Sequence, residues 1–314
     1  MSRFLVTGGA GFIGSSLVRE LVSRGEDVRV LDNFCTGKRE NLEPFAGKIE
    51  VLEGSVDDFP VVERAMEGVD YVLHQAALPS VQRSVESPLG SHASNLTGTL
   101  VLLESARRAK VRRFVYASSS SVYGDSPTLP KVETMVPDPL PPYAVGKLGG
   151  ELYCRVFHRL HGLETVSLRY FNVFGPGQSP DSLYAAVVPR FIAALKAGDP
   201  PVIYGDGCQT RDFTYIENVV QANLAACAAG REAAGEAFNI AFGERVTLLD
   251  LLGKMASLRG ETAKPRFEPA RRGDVRDSLA DIGKARRLLG YRPEISLDEG
   301  LKRTLLGLEA MGAP

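Results

Sequence analysis

The sequence has no tryptophan, only four histidines and four cysteines, and a formal net charge of −1 over 314 residues. So even a charge balance excludes a global field that would recruit nucleic acid or an acidic membrane. Cys35, Cys154, Cys208 and Cys227 are scattered, with neither Cys-x-x-Cys nor His/Cys metal spacing. That argues against structural zinc, gives no reason to expect any metal, and points to a reducing compartment. No apolar run reaches the ~18 residues of a membrane helix. The strand-like Arg3–Val6 at the start leaves no room for a signal peptide. The expectation is a cytoplasmic protein. Its densest basic run, Arg107–Arg113, falls where a helix should end, a place that favours cations.

Apolar residues make up 44% of the chain, ample for a core. Residues 3–7 read as a buried strand running into Thr7-Gly8-Gly9-Ala10-Gly11-Phe12-Ile13-Gly14, then an amphipathic helix to about Arg24. The next apolar run, Asp27–Leu31, ends at Asp32. A strand, a glycine turn, a helix and an acid closing the next strand form a dinucleotide-binding unit. Glycines let the backbone approach a pyrophosphate, the helix N-terminus supplies free N–H groups, and the acid accepts from ribose hydroxyls. Further strands are expected at Ile49–Glu53, Tyr71–Leu73, Phe114–Ala117 and Thr165–Arg169, and helices near 58–67, 88–109 and 144–162. This alternation predicts an α/β fold: a Rossmann-type, doubly wound parallel sheet with ligands at the carboxyl ends of its strands. After Gly175 prolines punctuate short elements and the alternation is lost. The division expected is a dinucleotide domain over 1–172 and a smaller substrate domain over 173–314, with some segments returning to the sheet.

Tyr143 and Lys147 are spaced to stack on one helix face. A tyrosine hydroxyl ionises near pH ~10, and an adjacent ammonium favours the phenolate, making the pair a candidate acid/base. Ser118-Ser119-Ser120-Ser121 closes the strand-like Arg113–Ala117, so hydroxyls cluster at a strand end. His74 reads as a strand-end hydrogen bonder, and Asp57 and Asp58 as caps of the following helix.

Taken together, these motifs resemble the extended short-chain dehydrogenase/reductase family, in particular its nucleotide-sugar 4-epimerases. The likeness rests on the turn at 7–14, Asp32-Asn33, His74–Ala77, Asn95–Thr99, Ser118–Gly124, Tyr143/Lys147 and Arg169–Gly175. It continues through Gly205–Asp212 and Arg271–Val275. The resemblance implies NAD held by Gly8, Gly11, Phe12, Ile13, Gly14, Asp32, Asn33, Val56, Ala76 and Lys147. It makes Tyr143 the acid/base and Ser119 its hydroxyl partner. Ser120 and Val188 would contact substrate; Asn172, Arg211 and Arg271 would grip the diphosphate. Tyr204 would pack near uracil, Asp274 would bind the uridine ribose, and Ser278 would form the sugar-pocket wall. One departure is Gly54-Ser55-Val56, where the family often has Gly-Asp before the apolar residue.

The activity implied is 4-epimerisation of a UDP-sugar through a 4-keto intermediate. Dehydratases of the family carry Thr-Asp-Glu, and decarboxylases a final Glu, where this chain has Ser119-Ser120-Ser121. A small residue at 278 resembles enzymes that admit 2-acetamido sugars, so UDP-GlcNAc/UDP-GalNAc is expected beside UDP-glucose/UDP-galactose. A UDP-glucuronate 4-epimerase and a catalytically silent nucleotide binder are the alternatives. The resemblance also implies a homodimer joined through the helices near 88–109 and 144–162.

Overall fold

The computed structural model describes residues 1–178, 186–270 and 275–310. The first half alternates as its sequence pattern predicts. In order come β1 (Arg3–Thr7), α1 (Phe12–Ser23), β2 (Asp27–Asp32), β3 (Glu50–Glu53), α2 (Phe59–Met66) and β4 (Tyr71–His74). Two short helices, α3 (Val81–Glu86) and α4 (Pro88–His92), lead through a π-helical turn at Ala93–Thr97 into α5 (Gly98–Arg108). Then follow β5 (Arg113–Ser119), α6 (Pro142–His161) and β6 (Thr165–Tyr170). The expected helix near 88–109 is thus interrupted. Its π turn carries Asn95, 1% exposed, whose amide bonds both backbone groups of Leu78 (2.8 and 3.3 Å) and so pins the loop after β4.

The second half is built of short pieces: β7 (Val173–Phe174), α7 (Val187–Ala197), β8 (Val202–Tyr204), β9 (Thr210–Arg211) and β10 (Thr214–Tyr215). After them come α8 (Ile216–Ala228), β11 (Glu236–Ile240), β12 (Val246–Thr247), α9 (Leu248–Leu258), β13 (Arg266–Glu268), α10 (Gly283–Leu289) and α11 (Leu297–Ala310). β11 pairs with β6, so this half returns a strand to the main sheet.

That sheet has seven parallel strands in the order β3-β2-β1-β4-β5-β6-β11. Parallel strands covered on both faces by helices are apolar on both faces, and Leu5, Val6, Val30, Leu31, Val72, Leu73, Phe114 and Val115 are fully buried. One apolar core lies on each side of the sheet, and a third, with Phe174, Phe191, Tyr215, Leu251 and Met255, holds the smaller cap together. The strand order reverses between β1 and β4, which opens a crevice at the strands' carboxyl ends. Among the described residues no helix is long and apolar enough to cross a membrane.

Candidate active site

The crevice holds a cavity of about 430 Å³. Its floor is the glycine turn. Gly8 has φ +69°, and a Cβ there would lie 2.7 Å from the Ala76 backbone; a Cβ on Gly14 would lie 2.0 Å from the Gly8 carbonyl oxygen. Only glycine lets α1 start this close to β1 and β4. Asp32, 7% exposed, accepts from Ala10 N (2.9 Å) and Phe34 N (2.8 Å) and still has lone pairs facing the cavity. All the cofactor residues expected from sequence line this one cavity: Gly8, Gly11, Phe12, Ile13, Gly14, Asp32, Asn33, Val56, Ala76 and Lys147. A phosphate-sized approach at a helix N-terminus and a ribose-facing carboxylate at the next strand end are what a dinucleotide needs. At the departure from the family pattern, Ser55 donates to Asp57 and Asn33 Nδ2 lies 3.5 Å from Ser55 Oγ. A carboxylate is therefore kept there, one hydrogen bond further out.

Tyr143 and Lys147 enter the same cavity from α6. Lys147, 3% exposed, donates to the Ala117 carbonyl at 2.7 Å, and burial pushes its pKa down to about 8. The ammonium lies 5.8 Å from the Tyr143 ring centroid. Burial raises the Tyr143 hydroxyl above its ordinary pKa, while a hydrogen bond with Ser119 works the other way. The expected lowering by Lys147 is not what this arrangement produces: burial raises the hydroxyl, the opposing influence is Ser119, and the ammonium is turned to the β5 carbonyl. His74, 1% exposed, sits between Thr7 Oγ1 (2.8 Å) and Thr99 Oγ1 (3.0 Å). Burial, and then the charge of Lys147, keep it well below the usual imidazole range. It ties β4 to β1 and α5, the strand-end role its sequence position suggests.

A second cavity of about 160 Å³ adjoins the first. It brings together Ser120, Asn172, Arg211 and Ser278, four of the expected substrate residues. Two segments line both cavities by turns. Ser118 faces the first and Ser120 the second; Tyr170 and Val173 face the first, Phe171 and Asn172 the second. Ser119, between Ser118 and Ser120 in the chain, lines neither; it is hydrogen-bonded with Tyr143 and accepts from Ser121 N at 3.2 Å. Arg211 is braced by its own strand and by the Arg276 carbonyl (2.9 Å). Asn172 takes a φ of +22° and donates to the Asp212 carbonyl at 3.3 Å.

Two of the expected substrate residues line neither cavity. Val188 is 1% exposed within the cap core, so its side chain packs and lines neither cavity. Tyr204 also lines neither; Arg190 covers its ring at 5.1 Å. Arg271 and Asp274 lie outside the described residues. Sequence reasoning passed over Gln75, Ser118, Tyr170, Phe171 and Lys131 as lining residues. The first four sit inside the motifs that carry the family resemblance, so the signal was present; Lys131 had none.

A match spanning residues 4–241 connects the chain to a known family. The chain belongs to the NAD dependent epimerase/dehydratase family. Its cofactor is NAD. A UDP-glucose 4-epimerase of Mycolicibacterium smegmatis is 38% identical over 307 residues, covering 96% of this chain and 97% of that one. The solved UDP-glucose 4-epimerase of Thermotoga maritima, with UDP-glucose, superposes at a TM-score of 0.94 with 39% identity, covering 98% and 99% of the two chains. The UDP-N-acetylglucosamine 4-epimerase of Methanobrevibacter ruminantium, in complex with UDP-N-acetylmuramic acid, gives 0.94 with 36% identity and covers 99% of each.

Proposed function

We propose that the protein interconverts UDP-sugars epimeric at C4. The observation that carries this is that Tyr143, hydrogen-bonded with Ser119, lines a dinucleotide cavity, while Ser120, next to Ser119 in the chain, lines a smaller one. NAD, when bound in the first cavity, would supply the hydride acceptor and donor for C4. Tyr143, as the phenolate, takes the proton of the sugar 4-hydroxyl while Ser119 steadies the same oxygen, and Tyr143 returns that proton after the 4-keto sugar has turned over. Arg211 anchors the diphosphate by charge-assisted hydrogen bonds, leaving the sugar free to rotate.

Elimination of water needs an acid beside the serine, and Ser120 and Ser121 there carry only hydroxyls. Among the described residues lining the second cavity, Asp277 is the one carboxylate. Hydrogen bonds from Thr210 hold it below its ordinary pKa, so it stays ionised and has no proton to give.

Sugar size is read at Ser278, 8% exposed in the wall of that cavity with Asn172 and Arg211. The ketose sweeps its 2-substituent through an arc, and a small wall residue leaves room for an acetamido group. UDP-N-acetylglucosamine is therefore expected to be converted as well as UDP-glucose. Ser278→Tyr should suppress the acetamido pair and spare the plain pair, since overpacking costs ~1–3 kcal/mol. Product analysis over UDP-glucose, UDP-N-acetylglucosamine, UDP-glucuronate and their 4-epimers decides this. Conversion of UDP-glucuronate alone replaces the sugar assignment, and no conversion of any of them sinks the reaction.

The active unit we propose is a homodimer. Val145, Leu152, Val156 and Leu160 form an exposed apolar stripe on α6, with Val85 and Leu89 exposed on α3 and α4. Self-complementary pairing of such a face is the commonest symmetric solution. Light scattering should give twice the 33.9 kDa chain mass, and a monomer at micromolar concentration would refute the pairing. Four free cysteines accord with a reducing, cytoplasmic setting.

A further inference from the structure

The functional face of α6 does not end at Lys147. One turn on, Glu151 is 7% exposed, and its carboxylate takes Arg169 of β6 in a two-pronged pair, Nε–Oε1 2.9 Å and Nη2–Oε2 2.7 Å. Ser118, 3% exposed, donates its hydroxyl to the same Oε1. Three consecutive residues at the end of β5 are thus fastened to three successive turns of α6. The Ala117 carbonyl takes Lys147, the Ser118 hydroxyl is held by Glu151, and the Ser119 hydroxyl meets Tyr143. Behind Glu151 the chain of bonds continues from Arg169 Nη1 to Tyr123 Oη (2.9 Å), and from Tyr123 Oη to Asn239 Oδ1 (2.6 Å) on β11.

We infer that Glu151 is a positioning residue for the catalytic pair: through Ser118 it sets the end of β5 against α6, so that Ser119 and Tyr143 aim at one substrate oxygen. The inference rests on the roles proposed above for Ser119 and Tyr143. Physically, a strand end is the least constrained part of a sheet, because its last residues lose ladder partners. Here β5 keeps partners on β6 up to Ser119, but its pairing with β4 ends at Tyr116, so Ala117, Ser118 and Ser119 are laddered on one side only. Side-chain bonds to a rigid helix replace what the ladder no longer supplies. An ionised acceptor also makes the Ser118 bond one of the stronger kind.

The test is a cycle of Ser118→Ala, Glu151→Gln and the double variant, on the NAD-loaded enzyme with the best sugar of the panel. Each single change should lower kcat roughly tenfold with the sugar's KM within about twofold, because no residue lining the second cavity is touched while aim is lost. The double variant should be no slower than the slower single one, since both break the same link. Ser118→Thr, which keeps the hydroxyl, should restore most of the rate. Multiplying effects, or wild-type kcat in folded Ser118→Ala, would overturn the inference. Should Glu151→Gln fail to fold, Ser118→Ala decides alone, because it leaves the Glu151–Arg169 pair whole and reads the same link. An arm independent of turnover is the ultraviolet titration of Tyr143, taken as the difference from Tyr143→Phe. Ser118→Ala should raise the pH at which Tyr143 ionises, by loosening its bond to Ser119. If the wild type converts no UDP-sugar, the proposed reaction falls while this titration still decides the positioning role; an unmoved titration overturns it.

Discussion

Tyr143→Phe is expected to lower kcat by about 10²–10⁴-fold, the range for loss of a positioned acid/base. The substitution keeps the ring in the cofactor cavity and removes only the hydroxyl that meets Ser119. Bound NAD and the folded state should survive, since the cavity's glycine turn and Asp32 are elsewhere. The size of the loss follows from what remains. In the proposed mechanism Ser119 would be left to hold the substrate oxygen without a base beside it, and Lys147 is engaged by the Ala117 carbonyl. Burial holds the phenolate back, so the hydrogen bond from Ser119 is the local influence favouring ionisation. Steady-state rates of purified Tyr143→Phe, with retained NAD measured after acid extraction, check this. Wild-type turnover by a folded, NAD-bound variant would remove Tyr143 from the mechanism.

Arg169→Met should cost about 3–5 kcal/mol of stability, the penalty for breaking a buried ion pair from one side. Arg169 is 4% exposed and Glu151 7%, so neither has bulk water to fall back on. Without the guanidinium, the Glu151 carboxylate loses two charge-assisted bonds and keeps only Ser118, while Tyr123 loses a donor and keeps Asn239. Methionine fills the volume but offers no hydrogen. An exposed pair gives a useful contrast. Arg24–Glu20 at the C-terminal end of α1, with its arginine side chain 56% exposed, should be worth at most about 1 kcal/mol when Arg24 is replaced by Met. Urea unfolding of the two variants separates the cases, with the midpoint shifting and the slope unchanged. A loss below about 1 kcal/mol in Arg169→Met would mean that the buried pair is not holding the β5–β6–α6 corner.

The sequence alone determined the cofactor half of this protein. Its signals are local: a glycine turn after a strand, an acid at the next strand end, a tyrosine and lysine one turn apart. Each element there packs against its neighbours in the sheet order of an alternating chain, so every expected NAD residue reached one cavity. The substrate half is different, because Ser120, Asn172, Arg211 and Ser278 come from four separated segments of short elements. No periodicity says which of them will meet. Tertiary packing decided it, and it removed Val188 into the cap core and set Tyr204 under Arg190 instead. Glu151 shows the same limit at close range. Its place two turns after Tyr143 was readable in the chain, but its meaning was not. A charge on a helix face is usually solvated, and only the fold brought Arg169 and Ser118 to it in a space that water does not reach.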